Sequence, residues 1–188
     1  MARPRSEDKR NAILAAATKV IAEQGTSAPT ARIAREAGVA EGTLFTYFGD
    51  KDELLNQLYR ELKGSLGLAM LEDYPRGADA KARAHHVWAR YVAWGVAHPQ
   101  DRLAMRQLGV SERIAPETRA AVTATFVEVN ALLHEIAGTD SEETLAFKAS
   151  LLGAMAEATM DFIAAHPRKR RSFSDTGFAA FWRTLHSG

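Results

Sequence analysis

The sequence predicts an all-α chain, with a small N-terminal helix-turn-helix head followed by a larger helical body. Three observations carry this. Apolar residues recur at intervals of three and four along most of the 188 residues. No stretch shows the valine- and isoleucine-rich alternation of a strand. Gly25, Gly38, Pro99, Gly138 and Pro167 fall where the periodic stretches end.

Taken in order, Ser6 is positioned to cap a first helix, with Glu7 and Asp8 in its first turn. Ile13, Ala17, Val20 and Ile21 form its apolar side, and Gly25 stops it. Thr30 is expected to cap a short second helix bearing Ile33, Ala34 and Ala37, closed by Gly38. A third runs from about Ala40 to Phe48. Asp50-Lys-Asp-Glu53 is a capping-box pattern that opens a fourth, whose stripe is Leu54, Leu55, Leu58, Tyr59, Leu62 and Leu66. Asp73-Tyr-Pro-Arg-Gly77 is the clearest turn cluster. It suggests a division into residues 1–50, a connecting helix over 51–72, and a larger part over 73–188. Beyond it, helices are expected over about Asp79–His98, Gln100–Leu108, Pro116–Ala137, Ser141–His166 and Ser174–His186, with Arg168-Lys-Arg-Arg171 in a loop.

Composition narrows the function. With no cysteine, the chain has no disulfide framework, cysteine nucleophile or thiolate zinc site. The histidines lack the i, i+3 or i, i+4 partners of a helical metal site, since His85 and His86 are adjacent and point apart. Glu157 and Asp161 are an i, i+4 carboxylate pair, read as solvent-facing or ion-paired rather than catalytic. No phosphate loop, nucleophile elbow or triad pattern appears. Neither an enzymatic activity nor a cofactor or metal is expected. No apolar run approaches the ~18 residues of a membrane span, so a soluble cytoplasmic protein is expected. The net charge of +1 is uninformative, but residues 1–35 hold seven basic and three acidic side chains, a mild footprint for an anionic partner.

The informative stretch is Thr30-Ala-Arg-Ile-Ala-Arg-Glu-Ala-Gly-Val-Ala-Glu-Gly-Thr-Leu-Phe-Thr-Tyr-Phe-Gly-Asp-Lys51. A short helix, a glycine turn and a second short helix are the layout of a helix-turn-helix, whose second helix enters the DNA major groove. In that second helix Leu44 and Phe48 lie i, i+4 and point inward. Gly42, Thr43 and Thr46 fall on the opposite side, small enough for the backbone to approach base edges. Phe45 and Tyr47 stand about 80° to either side of the core direction, toward sugar and phosphate. Thr30 offers a helix start for phosphate, Lys51 a full charge, and Arg32 a further cation.

Ile33-Ala34, Ala37-Gly38-Val39, Gly42-Thr43-Leu44-Phe45, Tyr47-Phe48 and Lys51-Asp-Glu-Leu54 together resemble the DNA-binding signature of the TetR family of transcriptional regulators. The resemblance implies an all-α homodimer that binds a palindromic double-stranded DNA operator through its head and a small effector through its body. By position, Thr30, Thr43, Phe45, Tyr47 and Lys51 match family positions that contact DNA, and Gly42 one where the backbone nears the duplex. Two residues depart from the pattern. Ala40 stands where most members have serine, which removes a cap worth about 1 kcal/mol. Phe45 stands where most have tyrosine, which removes a phenol hydroxyl. Glu41 is electrostatically awkward beside DNA, and the arm of Arg3, Arg5, Lys9 and Arg10 reads either as a compensating contact to phosphates or a minor groove or as a solvated tail.

The body is less informative. Trp88, Tyr91, Trp94, Phe126, Asn130, Met155 and Thr159 are the candidates for an apolar effector pocket with a few polar groups. The Ser141–His166 helix is apolar on nearly all sides, as expected when one face meets its own core and another a partner subunit. Leu152, Gly153, Met160, Phe178, Phe181, Trp182 and Leu185 are the candidate dimer interface. The reading that follows is a ligand-responsive DNA-binding regulator, a repressor released by an apolar or amphipathic effector. The alternatives are a protein-binding adaptor built on the same fold and, with no catalytic constellation to support it, a small helical enzyme.

Overall fold

The computed structural model describes residues 4–138 and 141–185, with side chains from Glu7 onward. Among them are ten α-helices and no strand: α1 (Pro4–Gln24), α2 (Thr30–Glu36), α3 (Glu41–Phe48), α4 (Lys51–Leu71), α5 (Ala80–Ala97), α6 (Pro99–Gly109), α7 (Pro116–Thr125), α8 (Val127–Ala137), α9 (Glu142–Ala165) and α10 (Arg170–Leu185). The all-α expectation holds. No described helix is long and apolar enough to cross a membrane.

The chain forms two compact units. The first comprises residues up to Ser65 together with His98–Ala124, the second Leu66–Ala97 together with residues from Thr125 on. Packing therefore assigns α6 and most of α7 to the N-terminal unit, although they follow the Asp73–Gly77 turn in sequence. In the first unit α6 and α2 lie against α1, and α3 lies against α2. Its core holds Ile13, Ala17, Val20, Ile21, Ile33, Leu44, Phe48, Leu54, Leu55, Leu58 and Leu108, all at most 2% exposed. Burying a side chain of this kind contributes roughly 1.5–3 kcal/mol.

Asn56 fixes the loop between α6 and α7. Its amide donates to the carbonyls of Asp52 (2.7 Å) and Arg113 (2.9 Å), and its Oδ1 accepts from the Ala115 N–H (2.9 Å). Arg119 holds the same loop through the carbonyls of Gly109 and Ser111. In the second unit α5 is the central helix and meets α8, α9 and α10. Trp88 lies at its centre, fully buried and stacked on Phe181 at 5.9 Å.

Four local readings change. Helix α1 begins at Pro4, so Ser6 lies inside the helix rather than before it. Pro29, not Thr30, is the residue before α2. The Pro116–Ala137 helix breaks at Phe126, which takes φ −100° and ψ 25°. The break lies where Thr125 and Phe126 seat against Gly67 of α4. A Cβ on that glycine would stand 3.2 Å from the Thr125 methyl and 3.7 Å from the Phe126 ring. Arg168–Arg171 is helical rather than a loop. Pro167 starts a 3-10 turn (Pro167–Lys169) that runs directly into α10. Side-chain caps open α9 and α5. The Ser141 hydroxyl accepts from the Thr144 N–H, and Asp79 accepts from the Ala82 N–H at 2.8 Å.

Candidate functional site

The turn between α2 and α3 closes on Gly38 at φ 69°, a left-handed conformation glycine adopts without a Cβ penalty, and Gly49 leaves α3 at φ 62°. Helix α3 is so short that its face is set by two anchors. Leu44 and Phe48 are fully buried. On the other side Gly42 and Thr46 are exposed, Phe45 is 39% exposed, and Thr43 and Tyr47 are half-buried. A Cβ built on Gly42 would meet nothing within 4 Å, so the backbone there stands open to an approaching surface. Ala40 offers no side-chain cap at the start of α3, and the Thr43 N–H donates to the Ala40 carbonyl there (2.9 Å).

Several polar members are already engaged within the chain. The Thr30 hydroxyl donates to the Glu41 carboxylate across the turn. Glu41 therefore holds a group expected to meet phosphate and adds a negative charge beside it. The Thr46 hydroxyl donates back to the Gly42 carbonyl at 3.1 Å and keeps its lone pairs. Arg32 sits 3.6 Å from Glu36, whose carboxylate also takes the Lys19 ammonium at 2.5 Å. The Lys19 hydrogen bond lowers the Glu36 pKa, and the same contact raises that of Lys19. The Lys51 ammonium donates to the Ala28 carbonyl at 2.7 Å, which ties the start of α4 to the loop before α2. Burial first, and then the charge of Arg113, pushes its pKa below the ordinary lysine value. The Asp50 carboxylate caps α4 by accepting from the Glu53 N–H at 2.7 Å.

The basic arm is less free than its sequence suggests. Arg10 donates to Gln57 (2.8 Å) and Glu61 (2.6 Å) of α4, and its guanidinium lies over the Phe48 ring at 5.7 Å. Lys9 is exposed. Arg3 and the side chain of Arg5 lie outside the described residues.

The seven effector candidates all fall in the second unit. Trp88, Tyr91, Trp94 and Thr159 are buried, while Phe126, Asn130 and Met155 are half-buried. Thr159 and Trp88 converge on Gly177 of α10. A Cβ there would stand 2.5 Å from the Thr159 hydroxyl and 2.5 Å from the Trp88 ring. Gly177 was not singled out in sequence, because a lone glycine in a helix carries no sign of what faces it. The Trp88 indole N–H donates to the Ser174 carbonyl at 2.9 Å. This centre is filled by the chain's own side chains. An open cleft of about 510 Å³ in the same unit is lined by none of the seven but by His85, Ala89, Arg168, Arg170, Arg171, Ser174 and Asp175.

The expected dimer set is largely internal. Leu152, Met160, Phe178, Phe181 and Leu185 are at most 7% exposed, and only Gly153 and Trp182 are half-buried. A side chain buried in its own unit offers no surface to a second chain. The apolar residues of α9 that its own unit leaves uncovered include Phe147 (62% exposed), half-buried Leu151, and exposed Ala154, Ala158 and Phe162 (58%). They recur at intervals of four, three, four and four, a single stripe along the helix.

Comparison with known proteins places this geometry. Residues 13–58 match the family described as bacterial regulatory proteins, tetR family. The fatty acid metabolism regulator protein of Bacillus subtilis (strain 168) is 40% identical over 82 residues, 43% of this chain and 42% of that protein. The matched stretch is thus under half the length of that relative. A tetR family transcription regulator from Shewanella sp. PV-4 superposes with TM-score 0.81 at 26% identity, over 93% of this chain and 96% of its own. One from Marinobacter aquaeolei VT8 gives TM-score 0.83 at 18% identity over 97% of both chains, a likeness of fold.

Proposed function

The chain belongs to the TetR family of bacterial regulatory proteins, and from that premise we propose that it is a sequence-specific DNA-binding transcription regulator acting in the cytoplasm. The observation that carries this is the outer face of α3. Gly42, Thr43, Phe45 and Thr46 lie over two buried anchors, on a helix narrow enough for a groove about 12 Å wide. Gly42, Thr43 and Thr46 approach base edges. Thr30, Arg32, Phe45, Tyr47 and Lys51 hold sugar and phosphate. Lys51 keeps two ammonium protons for phosphate while its third binds Ala28. Residues 1–50 act as the DNA-binding head, 51–72 as the connecting helix, and 73–188 as the effector-binding and dimerisation part.

The regulator works as a homodimer whose two α3 helices enter successive major grooves, about 34 Å apart, of a palindromic operator. The dimer contact is the α9 stripe of Phe147, Leu151, Ala154, Ala158 and Phe162, joined by Gly153 and Trp182. A row of exposed apolar groups on an otherwise polar surface marks such a contact. An apolar or amphipathic effector binds among Trp88, Tyr91, Trp94, Phe126, Asn130, Met155 and Thr159. Because that centre is filled, the effector selects a form in which α10 has moved off Trp88, and this difference in affinity between forms releases the operator. The Bacillus subtilis relative is named for fatty acid metabolism, so acyl compounds head the ligands to test.

The test is selection of bound fragments from sheared genomic DNA at near-physiological salt, with Lys51→Ala/Tyr47→Ala as control. Enrichment of a palindromic site, lost in the control, is expected. Equal enrichment by both proteins overturns the assignment of α3. Absence of any enriched site from both, with a protein partner captured independently of DNA, moves the reading to an adaptor.

A further inference from the structure

The cleft of about 510 Å³ between α5, the 3-10 turn and the start of α10 has an unusual lining. Its lining includes three arginines, Arg168, Arg170 and Arg171, and one acidic residue, Asp175. That carboxylate lies 3.8 Å from Arg171, its i, i+4 neighbour. Among the described residues, Arg168 and Arg170 have no ion-pair partner. Like charges brought together without counter-charge repel, and several other arginines of this chain are paired. Arg76 meets Glu128, Arg83 meets Glu135, and Arg113 meets Asp52.

The walls are held in place from behind. Trp88 pins the Ser174 backbone, and the His85 ring stands edge-on to Phe178 at 4.7 Å. The Lys169 N–H closes the 3-10 turn on the His166 carbonyl at 2.9 Å. A cleft of this size accommodates a nucleotide-sized molecule. Planar guanidinium forks match the oxygens of phosphate in pairs.

We propose that this cleft binds a soluble phosphorylated small molecule, whose phosphate oxygens are held by Arg168, Arg170 and Arg171 with the Ser174 hydroxyl and the His85 ring N–H as further donors. The cleft is lined by none of the seven apolar effector residues and belongs to the second unit, whereas α3 belongs to the first, so it adds a second ligand to the regulator. Asp175 opposes the ligand's charge and sets how weakly an empty site attracts simple anions.

Calorimetric titration of the full chain with inorganic pyrophosphate and with ADP, at constant ionic strength, tests this without DNA. Saturable binding of one ligand per chain is expected. Arg170→Gln/Arg171→Gln should weaken it by about tenfold or more, as expected on losing charge-assisted bonds to phosphate, while Arg106→Gln on α6 leaves it unchanged. Asp175→Asn should tighten it severalfold, an arm that does not depend on a damaged variant. Circular dichroism of each variant checks that the fold is kept. Heats no larger than dilution at millimolar ligand overturn the proposal, as does equal binding by wild type and the double arginine variant. Binding to phosphatidylglycerol vesicles without binding of either soluble probe overturns it in favour of a lipid surface. Loss of operator binding in the double variant, with no binding of either probe, reassigns the tract to DNA. In both of those last cases the DNA-binding reading of α3 stands.

Discussion

Helices α3 and α9 solve opposite problems. Helix α3 is eight residues long and fixed by Leu44 and Phe48 alone, so nearly all of its remaining surface is free to meet another molecule. Helix α9 is 24 residues long and apolar almost all round, and burial in its own unit takes Leu145, Leu152, Ala156, Met160 and Ile163. The apolar side chains left outside include the row from Phe147 to Phe162. The short helix therefore announces its contact face by the few residues it must bury. The long one conceals its face until the residues taken up by α5 and α10 are known.

The sharpest way to break this comparison is Gly42→Leu. Nothing lies within 4 Å of a Cβ at that position, so the fold should be kept. Helix propensity rises by nearly 1 kcal/mol. Operator binding should fall by a hundredfold or more, on the order of 3 kcal/mol, because a branched side chain holds the backbone off the bases. A thermal melt beside a gel-shift titration reads both, and unchanged affinity would remove Gly42 from the interface. Gly177→Ala is the mirror experiment in the second unit. The added methyl meets Trp88 and Thr159 at 2.5 Å, an overpacking that should cost about 1–3 kcal/mol. The thermal midpoint should fall while α3 remains competent for DNA. An unshifted midpoint would show that α10 yields readily.

Phe147→Glu/Phe162→Glu tests the α9 row directly. Light scattering across a concentration series should show a dimer dissociating at about tenfold or higher concentration than wild type. A chain that stays dimeric places the contact elsewhere. The smallest effect is expected for Glu41→Gln. Loss of one negative charge beside the Thr30 hydroxyl should tighten operator binding by a few fold, on the order of 1 kcal/mol, and steepen its dependence on salt. Weaker binding would show that the Glu41 charge positions Thr30 for DNA rather than withholding it.

These contrasts also explain what could be read from sequence. The head was legible because its determinants are local. Gly38 and Gly49 bound α3, Leu44 and Phe48 lie one turn apart, and Asp50 caps α4 three residues away. What escaped depends on distant partners. Arg10 reads as a free cation but is held by Gln57 and Glu61, 47 and 51 residues along the chain. The break at Phe126 lies against Gly67, and Gly177 has meaning only opposite Trp88 and Thr159. Periodicity marked Leu152, Met160, Phe178, Phe181 and Leu185 as apolar stripes. It could not say which stripe a neighbouring helix of the same unit would cover.

Trp88 and Trp94 on α5 and Trp182 on α10 all lie in the second unit, and the chain has three tryptophans in all. Indole emission is therefore silent about the unit that carries α3. Melting followed by tryptophan fluorescence tracks only the second unit, whereas far-ultraviolet ellipticity tracks both. Coincident transitions would mean that the head cannot come apart while the body stands, and an earlier ellipticity transition that it can. The placement of three rings thus makes the independence of the two units measurable without attaching a label.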